Sequence, residues 1–259
     1  MRKPRPLPNY LKSMAMFRDS RQLHLFTWML LTSMCCGMLV LLRTWINRHA
    51  LVGIDSVQQM VWTRGATFLF LLWNLALAWV PYLAALWAER LQRLRAARWR
   101  VVAWLLVWLA FLPNAPYIIT DFVHFRHRPP VPLWLDLTLL FASACTGLLL
   151  GLLSLHEAHR VLRQWMSAVW SHVCMVASIG LAGFGIWLGR FQRWNSWDIV
   201  ARPADLLQDI AETFSTRHEL LKALGISGLL SGVLLAGYLL LLILIGGKHS
   251  AEGDMDGGR

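Results

Sequence analysis

The sequence predicts an all-α fold, an integral membrane helical bundle of about six transmembrane helices. A short interfacial or re-entrant helix and an outer amphipathic helix complete it. Three observations carry this. Apolar residues make up 57% of 259 positions and come in long runs. A bilayer core needs roughly 20 such residues per helical span. Charged residues, only 15% of the chain, sit in short clusters between the runs. Those clusters are mostly basic and give a formal net charge of +11.

The elements follow in order. A basic segment, residues 1–24, precedes the first span, Leu25 to Leu42. Its polar lead is long for a cleaved signal, so the span reads as retained. A polar loop through Arg64 leads to the second span, Ala66 to Ala88. The basic stretch ERLQRLRAARWR, 89–100, separates it from the third. Trp99 marks an interface there, and the third span covers about 99–112. The fourth runs from Val131 to Leu153, the fifth from Ala168 to Leu188 and the sixth from Leu220 to Ile245. Together, residues 25–247 form one transmembrane domain. The tail, 248–259, is polar and reads as disordered.

Orientation follows from the basic clusters. Segments 1–24, 89–100 and 160–163 fall on one side and carry most of the Lys and Arg. Cytoplasmic loops hold such an excess, so both termini are expected in the cytoplasm. Fifteen tryptophans suit the same picture, because indole favours the headgroup level. A positive charge beside apolar runs points to the lipid bilayer as partner, with no nucleic acid. The four cysteines lie inside apolar runs and form neither a disulfide framework nor a C-x-x-C knuckle.

The polar residues inside or beside spans are the functional candidates. In FLPNAPYIITDFVHF, 111–125, Pro113 and Pro116 lack backbone donors, and each disfavours helix at the residue before it. The third helix should therefore end near Leu112, with Asn114 capping a new short helix. At helical spacing Tyr117, Asp121 and His124 share one face, expected toward a cavity or water, with Ile118, Ile119 and Phe122 largely opposite. Asp136 enters the fourth span, where a carboxylate is costly unless paired or hydrated. Asn74 lies deep in the second span, before Pro81, which kinks helices. On the fifth span's exit, LGRFQRWNSWDI places Arg190, Arg193, Asn195 and Asp198 at the same outer face. After it, Leu206, Ile210 and Phe214 form the apolar side of the amphipathic helix. Small residues at four-residue spacing, Gly147/Gly151, Gly185/Gly189 and Gly228/Gly232/Ala236, suit helix packing within the chain.

The blocks WNLALAWVPY, FLPNAPYIITDFVHF with WLDL, and GRFQRWNSWD resemble those of an uncharacterised family of bacterial integral membrane proteins, a domain of unknown function. The resemblance covers roughly residues 60–245. It implies a bacterial inner-membrane location and supplies no activity.

The chemistry these residues suit has bland alternatives. Asp121-x-x-His124-x-x-His127 has the spacing of metal ligands, but two or three ligands fall short of a structural zinc site. A hydrogen-bonded brace explains it better, and no metal or cofactor is assigned. His156-Glu157-Ala158-His159 has its histidines three apart rather than the four of H-E-x-x-H, and reads as a solvated juxtamembrane helix. Arg190 and Arg193 suit either a phosphate headgroup or pairing with Asp121, Asp136 or Asp198. Three functions fit: an enzyme on a lipid or lipid-linked anionic substrate, with Asp121 and His124 as acid–base groups and Arg190, Arg193, Asn195, Asp198, Tyr117, Asn114, Asp136 and Asn74 binding; a non-catalytic assembly subunit; or a small transporter. Polar groups at one face, rather than at the midplane, and the lack of a visible inverted repeat count against the transporter.

Overall fold

The computed structural model describes residues 16–50, 68–127 and 131–256, with side chains omitted at 48–50 and 246–256. Most of the basic N-terminal segment and the first residues of the expected second span lie outside the described residues. Most of those described are helical, with no strand among them. Among the described residues, nine α-helices run α1 Ser20–Ala50, α2 Leu69–Arg93, α3 Arg98–Phe111, α4 Asn114–Tyr117, α5 Leu133–Leu162, α6 Ala168–Trp187, α7 Asp198–Ala201, α8 Pro203–Ser215 and α9 Arg217–Asp256. Ile118–His124 forms a 3₁₀ helix after α4, and Leu188–Gln192 a π turn after α6. Six of the helical stretches are long and apolar enough to cross a membrane, including the run from Arg98 to His124 taken as one.

The chain divides into two compact units, Met1–Val161 and Leu162–Arg259. In the first, a cluster of buried residues joins α1, α2, α4, the 3₁₀ helix and α5. Cys36 and Val40, Leu71 and Tyr82, Ala115 and Ile118, Leu139 and Leu150 belong to it. Polar bonds between helices add to the packing. The Trp79 indole donates to Ser33 Oγ at 3.0 Å, and the Trp108 indole to Ser154 Oγ at 3.2 Å.

The start of α1 meets the ends of α2 and α5, and the end of α1 meets the start of α5. Helix α1 is therefore antiparallel to α2 and α5. A tight turn joins α2 to α3. The N–H groups of Arg95 and Ala96 bond back to the carbonyls of Gln92 and Leu91, with Arg95 left-handed at φ 53°. This is the double closure of a helix that usually ends on glycine.

The proline break falls where expected, but not in the expected form. Helix stops at Phe111 and resumes at Asn114. Yet Leu112 and Pro113 keep right-handed helical backbone, at φ −52° and −57°. The prolines delete hydrogen bonds without reversing the path. Asn114 is not the cap: Pro113 takes that place, with no side-chain bond there. Instead the Asn114 amide donates to the Phe111 carbonyl at 3.1 Å. Ala115 N–H bonds to Leu112 rather than Phe111, so the side chain takes over an acceptor that the break left open.

Helix α5 comes close to this segment at glycine. A Cβ added to Gly147 would stand 2.5 Å from the Ala115 carbonyl oxygen and 2.9 Å from Ile118 Cδ1. Gly147→Ala should therefore destabilise the protein by about 1–3 kcal/mol through overpacking. Thermal melting in detergent measures this, and an unchanged midpoint would refute the close approach. At Gly151 the same test finds Ala115 and Pro116 at ordinary or slightly tight distances.

In the second unit, α6 packs along α9. Gly183 is the contact glycine, facing Ser231 and the Ser227 carbonyl, and Ser231 Oγ donates to the Ile179 carbonyl at 3.2 Å. Gly228 and Gly232 make no such contact within this unit. Nothing among the described atoms lies within 4 Å of a Cβ built on either.

Candidate functional site

Helical period decides which residues of the 118–124 segment share a face. The sequence reading assumed 3.6 residues per turn and placed Tyr117, Asp121 and His124 together. A 3₁₀ helix has 3.0, so residues three apart eclipse. Ile118, Asp121 and His124 then share a face, and Tyr117 lies about a third of a turn away. Ile118, expected opposite, is fully buried, and Asp121 beside it is 1% exposed rather than turned to water. His124, one turn on, is half-buried, with its ring 5.3 Å edge-on from Phe70.

Asn74 reaches this carboxylate. Its Nδ2 donates to Asp121 Oδ2 at 2.8 Å. Because α2 begins at Leu69, Asn74 stands roughly 8 Å from that helix end, not deep within it. Pro81 lies further in, buried, inside an uninterrupted helix. Tyr117 is half-buried, and its carbonyl accepts from Thr120 Oγ1 at 2.7 Å.

Asp136 has a partner the sequence reading missed. Arg43 Nε stands 3.0 Å from Asp136 Oδ1 and Nη2 3.4 Å from Oδ2, a two-point pairing. Both side chains are 1% exposed. The Arg43 guanidinium also lies 4.7 Å over the Phe68 ring. Arg43 looked like a loop residue because the apolar run stops at Leu42, whereas α1 continues through Ala50. Depth counting was the available signal. An acid at the start of one span needs a base at the same level, and the end of α1 is that level.

In the second unit the GRFQRWNSWD block builds a folded elbow. Arg193 is left-handed at φ 62°, turning the chain after the π turn. Asp198 is buried and accepts from the backbone N–H of Asn195 at 2.8 Å and from its side chain at 3.2 Å. Its ion-pair partner is Arg202 at 3.2 Å, one helical turn on, in place of Arg193. The Trp194 indole donates to Asp209 Oδ2 at 2.9 Å, and Arg202 covers the Trp194 ring at 4.8 Å. Arg190 is half-buried; Arg193 and Asn195 are exposed. Trp194, Arg202 and Asp209 were not singled out from the sequence, since their partners become neighbours only once the elbow closes.

The Asn195 N–H, then its side chain and Arg202, hold the Asp198 carboxyl below the ordinary carboxylate range, despite its burial. A depressed native pKa contributes stability above the unfolded value and loses it as pH falls through the native one. The elbow should therefore be firm at neutral pH and loosen in acid. Reversing the pair, Asp198→Arg with Arg202→Asp, should recover more of the melting midpoint than Asp198→Arg with Arg193→Asp. Equal recovery would reject the Arg202 assignment.

A further cluster went unrecognised in the sequence. Glu157, expected on a solvated helix, is 5% exposed, and His159 is 7%. Glu157 pairs with Arg160 at 3.4 Å and Arg18 at 3.9 Å, at the opposite end of α5 from Asp136. Among the described residues, no group of three or more His, Cys, Asp or Glu is arranged to hold a metal ion.

Comparison with known proteins adds one result. No curated protein and no solved structure matches the chain. Residues 73–233, which contain Asn74, the 114–124 segment, Asp136 and the GRFQRWNSWD elbow, match a family described as "Protein of unknown function (DUF1361)". That match covers well over half of the chain, and the protein belongs to this family.

Proposed function

We propose that this multi-pass membrane protein is an enzyme acting on a lipid or lipid-linked anionic substrate at the membrane face opposite its N-terminus. One observation supports this most. A buried carboxylate, Asp121, is fixed by Asn74 at 2.8 Å, and a half-open imidazole, His124, lies on the same face one turn away. Acid–base catalysis asks for a reachable proton carrier and a fixed charge that orients it. His124 is the reachable group and Asp121 the fixed one. Tyr117 stands beside these two in this reading; Arg190 and Arg193, in the second unit, are by themselves suited to an anionic headgroup. Asn114 and Asp136 then shape the first unit around Asp121 and His124, and Asn195 and Asp198 shape the elbow of the second, rather than touch substrate.

The reading places the protein in a bacterial inner membrane, its partner the bilayer, with both termini cytoplasmic. Reporter fusions after Arg100 should read cytoplasmic, and those after His127 external. Lipid extracts of a deletion strain and its parent provide the functional test. A changed headgroup or lipid-linked sugar, restored by the intact gene and not by His124→Gln, is the expected result. An unchanged profile would sink the enzymatic reading.

The Arg43–Asp136 pair favours a second reading. Both partners are closed off and satisfied on two points, as a structural tie requires. A non-catalytic assembly subunit would use such ties throughout.

A further inference from the structure

The opposite end of the first unit carries a different arrangement. Four segments meet there: residues 16–19, the first turn of α1, the last turn of α2 and the last turns of α5. Two of them present buried carboxylates. Glu89 on α2 is 2% exposed and Glu157 on α5 is 5%. Each has an arginine on its own helix, Arg93 at 3.1 Å and Arg160 at 3.4 Å. Arg18, just before α1, contacts both. Its Nη1 stands 3.8 Å from Glu89 and 3.9 Å from Glu157.

Other bonds tie the same segment down. Arg93 Nη2 donates to the Met16 carbonyl at 3.0 Å. Gln22, 2% exposed, accepts the Arg18 N–H on Oε1 at 2.7 Å, and its own N–H bonds to Asp19 Oδ1 at 2.8 Å. Asp19 and Gln22 thus start α1 in the manner of a capping box. Arg18 also pairs with Asp19 at 2.8 Å. From α1, then, Arg18, Asp19, Arg21 and Gln22 face the carboxylates. Tyr82, Glu89 and Arg93 do so from α2, and His156, Glu157, His159 and Arg160 from α5.

Three acids, Asp19, Glu89 and Glu157, stand against four arginines, Arg18, Arg21, Arg93 and Arg160. The acids differ in surroundings. Asp19 is 41% exposed at its side chain, whereas the two glutamates are shielded from water. Burial opposes the charged Asp19 carboxylate, but the Gln22 N–H and Arg18 more than offset this and hold its pKa below the ordinary value. Burial disfavours a charged carboxylate generally, and two acids facing one arginine disfavour each other. Glu157 faces Arg18, Glu89 and Asp19 at once, so a proton taken there removes one side of the Arg18 bridge. Arg18 then no longer bridges α2 and α5, and the segment keeps the Arg18 contacts to Glu89 and Asp19, the Gln22 bond and the Arg93 bond to Met16.

We propose that Glu89 and Glu157 form a pH-responsive clasp on residues 16–19, bridging α2 and α5 through Arg18 while Glu157 is charged and opening when Glu157 is protonated. The sign is that of groups whose contribution is present when charged: the clasp is closed at high pH and opens as pH falls. It ties residues 16–19 to the two helices that also carry Asn74 and Asp136 at their far ends.

Hydrogen exchange of the full-length protein in nanodiscs tests this. Protection factors, corrected for intrinsic rates, are compared for amides 16–24 and, as a reference, for 71–86 within α2. Protection at 16–24 should fall tenfold or more between pD 8 and pD 5.5, while the reference stays constant. Arg18→Gln should show the low value at both. Glu89→Gln with Glu157→Gln should do the same, and if that pair fails to fold, Glu157→Gln alone should at least halve the pD response. Protection that ignores pD, survives Arg18→Gln, or falls together with the α2 reference would overturn the clasp.

Discussion

Asp136→Leu should destabilise the protein by about 3–5 kcal/mol, the cost of stranding one member of a buried ion pair. Arg43 and Asp136 are each 1% exposed, so neither can turn to water when the other is lost. Pairing is two-pointed, and the guanidinium also covers Phe68, which leaves Arg43 little room to leave. Arg43→Met alone strands the carboxylate and should cost a similar amount. The double replacement, Arg43→Met with Asp136→Leu, should recover most of the loss, because apolar side chains of similar size suit that environment. A double-mutant cycle on unfolding in detergent measures the coupling. Single substitutions that leave the unfolding midpoint unmoved would show that the pair contributes nothing to stability.

Asp121→Asn and His124→Gln should do the opposite, sparing the fold and removing the function. Asn at 121 keeps the shape and still offers an oxygen to Asn74, whose bond at 2.8 Å needs only an acceptor. Gln at 124 keeps a polar side chain of similar reach beside Phe70. A catalytic acid–base group contributes about a hundred-fold or more, so complementation of a deletion strain should fall sharply while melting stays near that of the parent. If these residues only brace the structure, Asp121→Asn will melt early and a fold-stabilising change elsewhere will restore growth. Normal melting with full complementation would remove Asp121 and His124 from both readings.

The two experiments separate because the polar residues of the first unit are of two kinds. Arg43–Asp136 is closed on both sides, whereas Asp121 is closed and His124 half-open. Primary structure does not distinguish them, since Asp121 and Asp136 are both single carboxylates beside apolar runs. Exposure and partner identity make the difference.

Six apolar stretches, a break at the two prolines and an amphipathic helix before the last long one were all legible from residue order. Each is a local property: run length against bilayer thickness, missing N–H groups at Pro113 and Pro116, and period within one segment. Tertiary structure decided the rest. The 3₁₀ winding of 118–124 moved Tyr117 off the Asp121 face, with Ile118 of that segment packed close to Gly147. Arg43 found Asp136 across 93 positions of sequence, and Asn74 found Asp121 across 47. Glu157 left the solvent because α1 and α2 close over the end of α5. Partner choice among buried charges depends on which helix ends share a level, and no residue carries that information until the helices are packed.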